Sequence, residues 1–274
     1  MTDTITSIRL GYGGRGFING TEVLMTSGSL ENSVSPAYTS GYLIPMNGTD
    51  RSRVLHADGT VTHSGSMGFD LTLNGLSVIE SLMARNQKFN VEMYDGKYGF
   101  KIGGVGLDGC VVDTITVSGA PNGFITGSLN FSCRNPATKQ FSSLATNNRD
   151  MNIGDVIPYW WSGNSYVRDW TLTFSQAVTP KFSNLNRYQL TTEGILASSP
   201  VYLFVGEITV SLEFNTFCPL VTDTVYIATD SFKVVGRTTS TGYSVGGLNE
   251  LPSYHYSIQS SAIGSNDHNI LTIG

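Results

Sequence analysis

What this sequence has least of is charge. Asp, Glu, Lys and Arg make up 14% of its 274 residues, against roughly 25% in an average chain. A monomer with so few charges is poorly protected against association, so a hydroxyl-rich surface points to neighbouring subunits as its cover. The net charge is −5 and Lys/Arg clusters are missing. Tight, counterion-releasing nucleic-acid binding is therefore not expected, although nucleic acid could slide past such a surface. The three cysteines, Cys110, Cys133 and Cys218, lack close metal-type spacing and read as reduced thiols in a cytosolic setting. No basic stretch leading into an apolar one opens the chain, so no signal peptide is expected. No apolar run approaches the length of a membrane span.

Catalytic signatures are missing as well. There is neither a Gly-x-Ser-x-Gly elbow nor a Walker loop, and the carboxylates are scattered over polar strand positions. His56 and His63 lie in a loop-like stretch near Asp58, seven residues apart with no cysteine nearby; that is not a helical ligand spacing, and both read as solvated loop histidines. Residues 11–16 (GYGGRG) formally match a dinucleotide fingerprint. That chemistry needs a following helix to receive the pyrophosphate, and here another glycine follows with no helical period. The expectation is no enzyme, no cofactor and no metal. The sequons at Asn19 and Asn47 read as turns.

What is present is glycine, 31 residues of it, with abundant Ser and Thr, and an internal repeat. Residues 30–40 (LENSVSPAYTS) match residues 174–184 (FSQAVTPKFSN) at an offset of 144, with Pro36 aligned to Pro180. Downstream, residues 65–73 (GSMGFDLTL) match residues 206–214 (GEITVSLEF). A repeated unit usually builds a repeated surface.

Alternating apolar and polar residues predict strands over 23–36, 68–73, 88–94, 98–102, 110–117, 124–133, 170–180, 202–214, 226–228, 232–235 and 254–258. In residues 202–214 one face would hold Tyr202, Phe204, Ile208, Val210, Leu212 and Phe214. Asn47-Gly48 and Asp58-Gly59 read as turns. One helix is predicted, capped by Asn74, with Leu76, Ile79, Leu82 and Met83 on one stripe and Asn86 closing it. The fold class is all-β with a minor helix. The expected division is an arm (1–20), a first β-domain (21–134), a linker (135–156) and a second β-domain (157–274). Trp160 and Trp161 sit in the densest aromatic cluster and read as buried at a junction or subunit contact.

Three segments carry a resemblance: residues 157–161 (IPYWW), 170–180 (WTLTFSQAVTP) and 202–214 (YLFVGEITVSLEF). With the single helix of the first half, they resemble the tail tube proteins of tailed bacteriophages. The resemblance implies two tandem β-barrel or sandwich tube-type domains contributing strands to a ring. Stacked rings would form the channel for genome delivery, in a virion made in the host cytoplasm. Its partner would be itself, as a trimeric ring or alternatively a hexameric one, together with sheath, baseplate or terminator proteins. DNA would be present only in transit. Alternation then assigns Ser27, Ser29, Glu31, Ser33, Asp70, Thr72, Glu207, Thr209, Ser211 and Glu213 to the lumen, because apolar residues pack away from water. Two other readings stay open: a baseplate, tube-end or decoration protein, and a sugar- or receptor-binding β-module of the tail.

Overall fold

The computed structural model describes residues 14–41, 53–83, 87–95, 98–102, 109–121, 123–134, 167–182, 189–190, 196–198, 200–219, 224–227, 232–235, 237–245, 251–262 and 271–273. The first half holds β1 (Gly14–Ile18), β2 (Thr21–Gly41), β3 (Arg53–Asp70), α1 (Leu73–Leu82), β4 (Lys88–Phe89), β5 (Val91–Asp95), β6 (Tyr98–Ile102), β7 (Cys110–Gly119) and β8 (Thr126–Cys133). The second holds β9 (Val167–Lys181), β10 (Gln189–Leu190), β11 (Leu196–Ser198), β12 (Tyr202–Thr216), β13 (Thr224–Ile227), β14 (Phe232–Val235), β15 (Arg237–Ser244), β16 (Ser253–Ala262) and β17 (Leu271–Ile273). The chain is thus β-rich with one helix among the described residues.

Both halves lie in one sheet, ordered β15-β16-β12-β9-β7-β8-β3-β2-β1-β5-β6, and every neighbouring pair on this path is antiparallel. β13, β14 and β17 form a separate small sheet. Among the described residues no pairing closes either half into a barrel. Instead β7 of the first half pairs with β9 of the second, from Thr114 opposite Ser175 to Gly119 opposite Trp170. The core is likewise shared: Met67, Ile115 and Leu129 belong to the same buried cluster as Phe174, Leu212 and Ile258.

The matched segments occupy corresponding strands. Pro36 lies in β2, which pairs with β3; Pro180 lies in β9, which pairs with β12. In the first half β3 pairs with β8 and β8 with β7; in the second β12 pairs with β16 and β16 with β15. Chain order and sheet order therefore follow one scheme in both quartets. The register differs: Leu30 faces Gly65, whereas its counterpart Phe174 faces Val210, four residues past Gly206, the match of Gly65. A slip by an even number keeps every side chain on its face.

Local chemistry explains the departures from expectation. Residues 14–18 of the expected arm form β1, turned into β2 at Asn19-Gly20 with φ of 51° and 80°, the two-residue loop that positive φ favours. Because β1 runs between β2 and β5, no helix follows the glycine fingerprint, and its Arg15 pairs with Glu22 across the hairpin. Asp58-Gly59 lies within β3, taken up in an irregularity of register opposite Pro36, where a residue lacking N–H is tolerated. The helix cap is Thr72 rather than Asn74, its Oγ1 accepting from the Gly75 N–H at 3.0 Å. Leu73, the last residue of the strand expected over 68–73, opens α1 instead and is 67% exposed. The helix stripe of Leu76, Ile79, Leu82 and Met83 is buried. Asn47-Gly48, Asn86, Trp160 and Trp161 lie outside the described residues, as do residues 135–156.

The cysteines also correct their expectation. Cys110 and Cys133 face each other across β7 and β8 and form a disulfide, leaving Cys218 as an exposed free thiol. Direct cross-strand apposition brings two cysteines that are 23 residues apart in sequence within bonding reach.

Candidate functional site

The feature that repeats across both halves is a face, not a pocket. In antiparallel pairs, directly opposed residues share a side of the sheet, so rows of neighbours can be followed from strand to strand. One row runs Met67, Leu129, Ile115, Phe174, Val210, and all five are buried. The next on that side runs Phe69, Gly127, Val117, Leu172, Leu212, Ile258. The close approach of ring and backbone explains the glycine: a Cβ on Gly127 would stand 2.5 Å from the Phe69 ring.

On the opposite side the rows are made of hydroxyls and amides. One reads Ser29, Ser66, Asn130, Thr114, Ser175, Thr209; another reads Ser27, Gly68, Ser128, Thr116, Thr173, Ser211, Gln259. A third runs Asp70, Thr126, Ser118, Thr171, Glu213, Ser257. Each member is exposed or half-buried. Neighbours satisfy one another across strands: Ser29 and Ser66 hydroxyls meet at 2.7 Å, and Ser132 donates to both Asp113 carboxylate oxygens at 3.0 and 2.8 Å. A further row links Asp169, Asn215 and His255: Asn215 Nδ2 donates to Asp169 Oδ1, and His255 Nδ1 lies 3.1 Å from Asn215 Oδ1. Carboxylates punctuate the face sparsely. Burial pushes the Asp113 and Asp70 carboxyls above the ordinary range; at Asp113 the Ser132 hydrogen bonds oppose the shift.

The residues assigned from sequence distribute as follows. Ser27, Ser29, Glu31 and Ser33 are exposed along β2, and Asp70 ends β3 half-buried. Thr209 and Ser211 are half-buried on β12, with Glu207 and Glu213 exposed. Thr72 departs from the set: it is 2% exposed beneath the helix it caps, because the chain leaves strand geometry after Asp70. Tyr202 and Phe204 depart as well. A register shift between Val205 and Ile208 inverts the alternation, so Val205 is buried while Tyr202 and Phe204 are 56% and 53% exposed. A bulge of this kind re-aims every side chain beyond it. Lys181 Nζ lies 5.9 Å from the Phe204 ring centre.

Sequence reasoning missed Gln176, which is buried and sends its Nε2–H to the Val112 carbonyl at 2.7 Å. It clamps the β7–β9 junction where the register of β7 shifts against β8 between Val112 and Thr114. His63, expected from sequence to be a solvated loop histidine, is instead 6% exposed within β3, and burial lowers its pKa to about 4. Trp170 is buried with its indole N–H unpaired, so it is not part of any exposed aromatic platform. Among the described residues no group of three or more His, Cys, Asp or Glu could hold a metal ion, and no helix is long and apolar enough to cross a membrane. No protein-family model matches the chain, and no curated protein matches it.

Proposed function

We propose that the chain is a structural ring subunit of the tail-tube type, its hydroxyl face lining a channel through which a phage genome passes. The observation that carries this reading is the continuity of that face through β2, β3, β8, β7, β9 and β12, across the junction of the two halves. A protein that needs only a core has no use for an uncharged polar wall this broad. A wall that must stay wet without gripping phosphate does: hydroxyls hold water, and sparse carboxylates with few cations offer no counterion release. The apolar face lies beneath α1 and the rest of the core, where each buried Leu or Ile contributes roughly 1.5–3 kcal/mol. Barrel closure, in this reading, is completed by assembly rather than within one chain. The protein would then reside in the virion tail, in stacked rings. Negative-stain images and mass measurement of the purified protein test the reading: annular particles support it, and a monomer at every concentration overturns it.

Tyr202 and Phe204, exposed beside Lys181, favour a second reading, a sugar-gripping module of the tail. Glycan-array binding lost in Tyr202→Ala would support that reading against the first.

A further inference from the structure

We infer that Met25, Met67 and Met93 form a thioether site for Cu(I), a soft monovalent ion, at the rim of the core where β5, β1, β2 and β3 lie side by side. Register sets the arrangement. Gly16 of β1 stands opposite Met93 of β5, and Gly28 of β2 stands opposite Met67 of β3. Met25 shares the apolar side of the sheet with Phe69, its partner on β3. The irregularity between Met25 and Ser27 returns Gly28 to that same side. The sulfurs then cross over the two glycines. A Cβ on Gly28 would stand 2.6 Å from Met93 Sδ and 3.1 Å from Met25 Sδ, so both thioethers converge on one point. A Cβ on Gly16 would stand 3.1 Å from Met67 Sδ and 3.2 Å from Met25 Cβ, which puts the third sulfur beside the stem of the same Met25. Met67 and Met93 are buried, whereas Met25 is half-buried and Gly28 exposed. The convergence point is therefore within reach of solvent from the Gly28 side.

Ligand chemistry selects the ion. Thioether sulfur is soft and uncharged, and such ligands favour Cu(I), while Mg, Ca and Mn take oxygen ligands. A divalent ion would bring twice the charge to an apolar rim with no carboxylate among its ligands, at a heavy desolvation cost. Core packing accounts for a single methionine filling an irregular gap. Three that interleave over two glycines, with two sulfurs at one point, put the same soft atom where a ligand set needs it. Their unbranched side chains have the rotational freedom to close on an ion without moving the backbone. No electron passes to or from the protein: the ion is taken up and held as Cu(I). The set is separate from His, Cys, Asp and Glu, which make no group of three able to hold a metal among the described residues.

The test is made in a Cys218→Ser background, because the exposed Cys218 thiol is itself a soft ligand. Cu(I), kept reduced with ascorbate, is shared between the protein and the chelator bicinchoninate. The expected result is one Cu(I) held per chain with equal affinity at pH 5.5 and 7.5, because thioethers carry no proton to displace, unlike His or Cys ligands. Met25→Leu and Met93→Leu conserve side-chain volume. Each should weaken binding by at least the roughly 10-fold that losing a ligand's own hydrogen-bond partner costs. Met83→Leu, at the end of α1, should leave it unchanged. Circular dichroism checks the fold of each variant. X-ray absorption by the Cu(I) complex of the Cys218→Ser protein needs no core substitution and should show sulfur neighbours only. A shell of nitrogen or oxygen, affinity lost on acidification to pH 5.5, or no Cu(I) taken from the chelator overturns the inference. So does undiminished binding in folded Met25→Leu and Met93→Leu, which would leave the methionines as core filler alone.

Discussion

His63 shows how single residues in this sheet are set by what surrounds them. It sits on the apolar side of β3, opposite Cys133, and burial lowers its pKa from 6.5 to about 4. The folded state therefore accepts the neutral ring and resists the proton. Stability is intact above pH 6.5 and is lost as pH falls toward 4, by an amount on the order of 3 kcal/mol. Asp113, Asp70 and Glu80 are shifted upward by burial. They act in the opposite sense, losing stability as pH rises through their folded values. The informative quantity is thus the difference between wild type and His63→Gln. Urea midpoints taken at pH 7.5, 6 and 4.5 should converge as pH falls, the wild type losing more; parallel curves would show that His63 titrates normally.

At the scale of elements, the long strands and the helix were legible from alternation and from the stripe at Leu76, Ile79 and Leu82, because burial imposes those periods directly. What stayed hidden were the places where one residue changes phase. The register shift after Val205 turned Tyr202 and Phe204 to the polar side, and nothing in their composition marks it. The cap moved from Asn74 to Thr72 because both residue types cap well and only the end of β3 decides between them. The disulfide was hidden because Cys110 and Cys133 become neighbours only through strand pairing. Of the ten residues assigned to the lumen, only Thr72 is buried, because it lies past the end of β3, where the strand alternation stops. The joint between halves was invisible for the same reason, and Gln176 bridges it with a buried hydrogen bond. Gln176→Leu should strip the Val112 carbonyl of its partner and cost about 1–3 kcal/mol, read as a lower thermal midpoint. An unchanged midpoint would mean that the joint does not depend on that hydrogen bond.

For the whole molecule, the two faces of one sheet divide the labour. The apolar side gathers residues from both halves into one core, and the polar side is left to water. Glu207 and Glu213 are exposed on β12, so Glu207→Lys with Glu213→Lys should leave the fold intact, as checked by circular dichroism. Assembled rings of that variant should retain duplex DNA, with binding that falls steeply between roughly 50 and 200 mM salt. Retention equal to wild type at low salt would place those positions away from the passing strand. The most direct test of the account is an electron cryomicroscopy reconstruction of the assembled protein, in which the side of the sheet facing the bore can be seen. The account predicts a closed ring with Ser29, Ser66, Thr114, Ser175 and Thr209 around the channel and α1 outside it. A particle with α1 or the Met67–Leu129–Ile115 row facing the channel, or one without a channel, would contradict it.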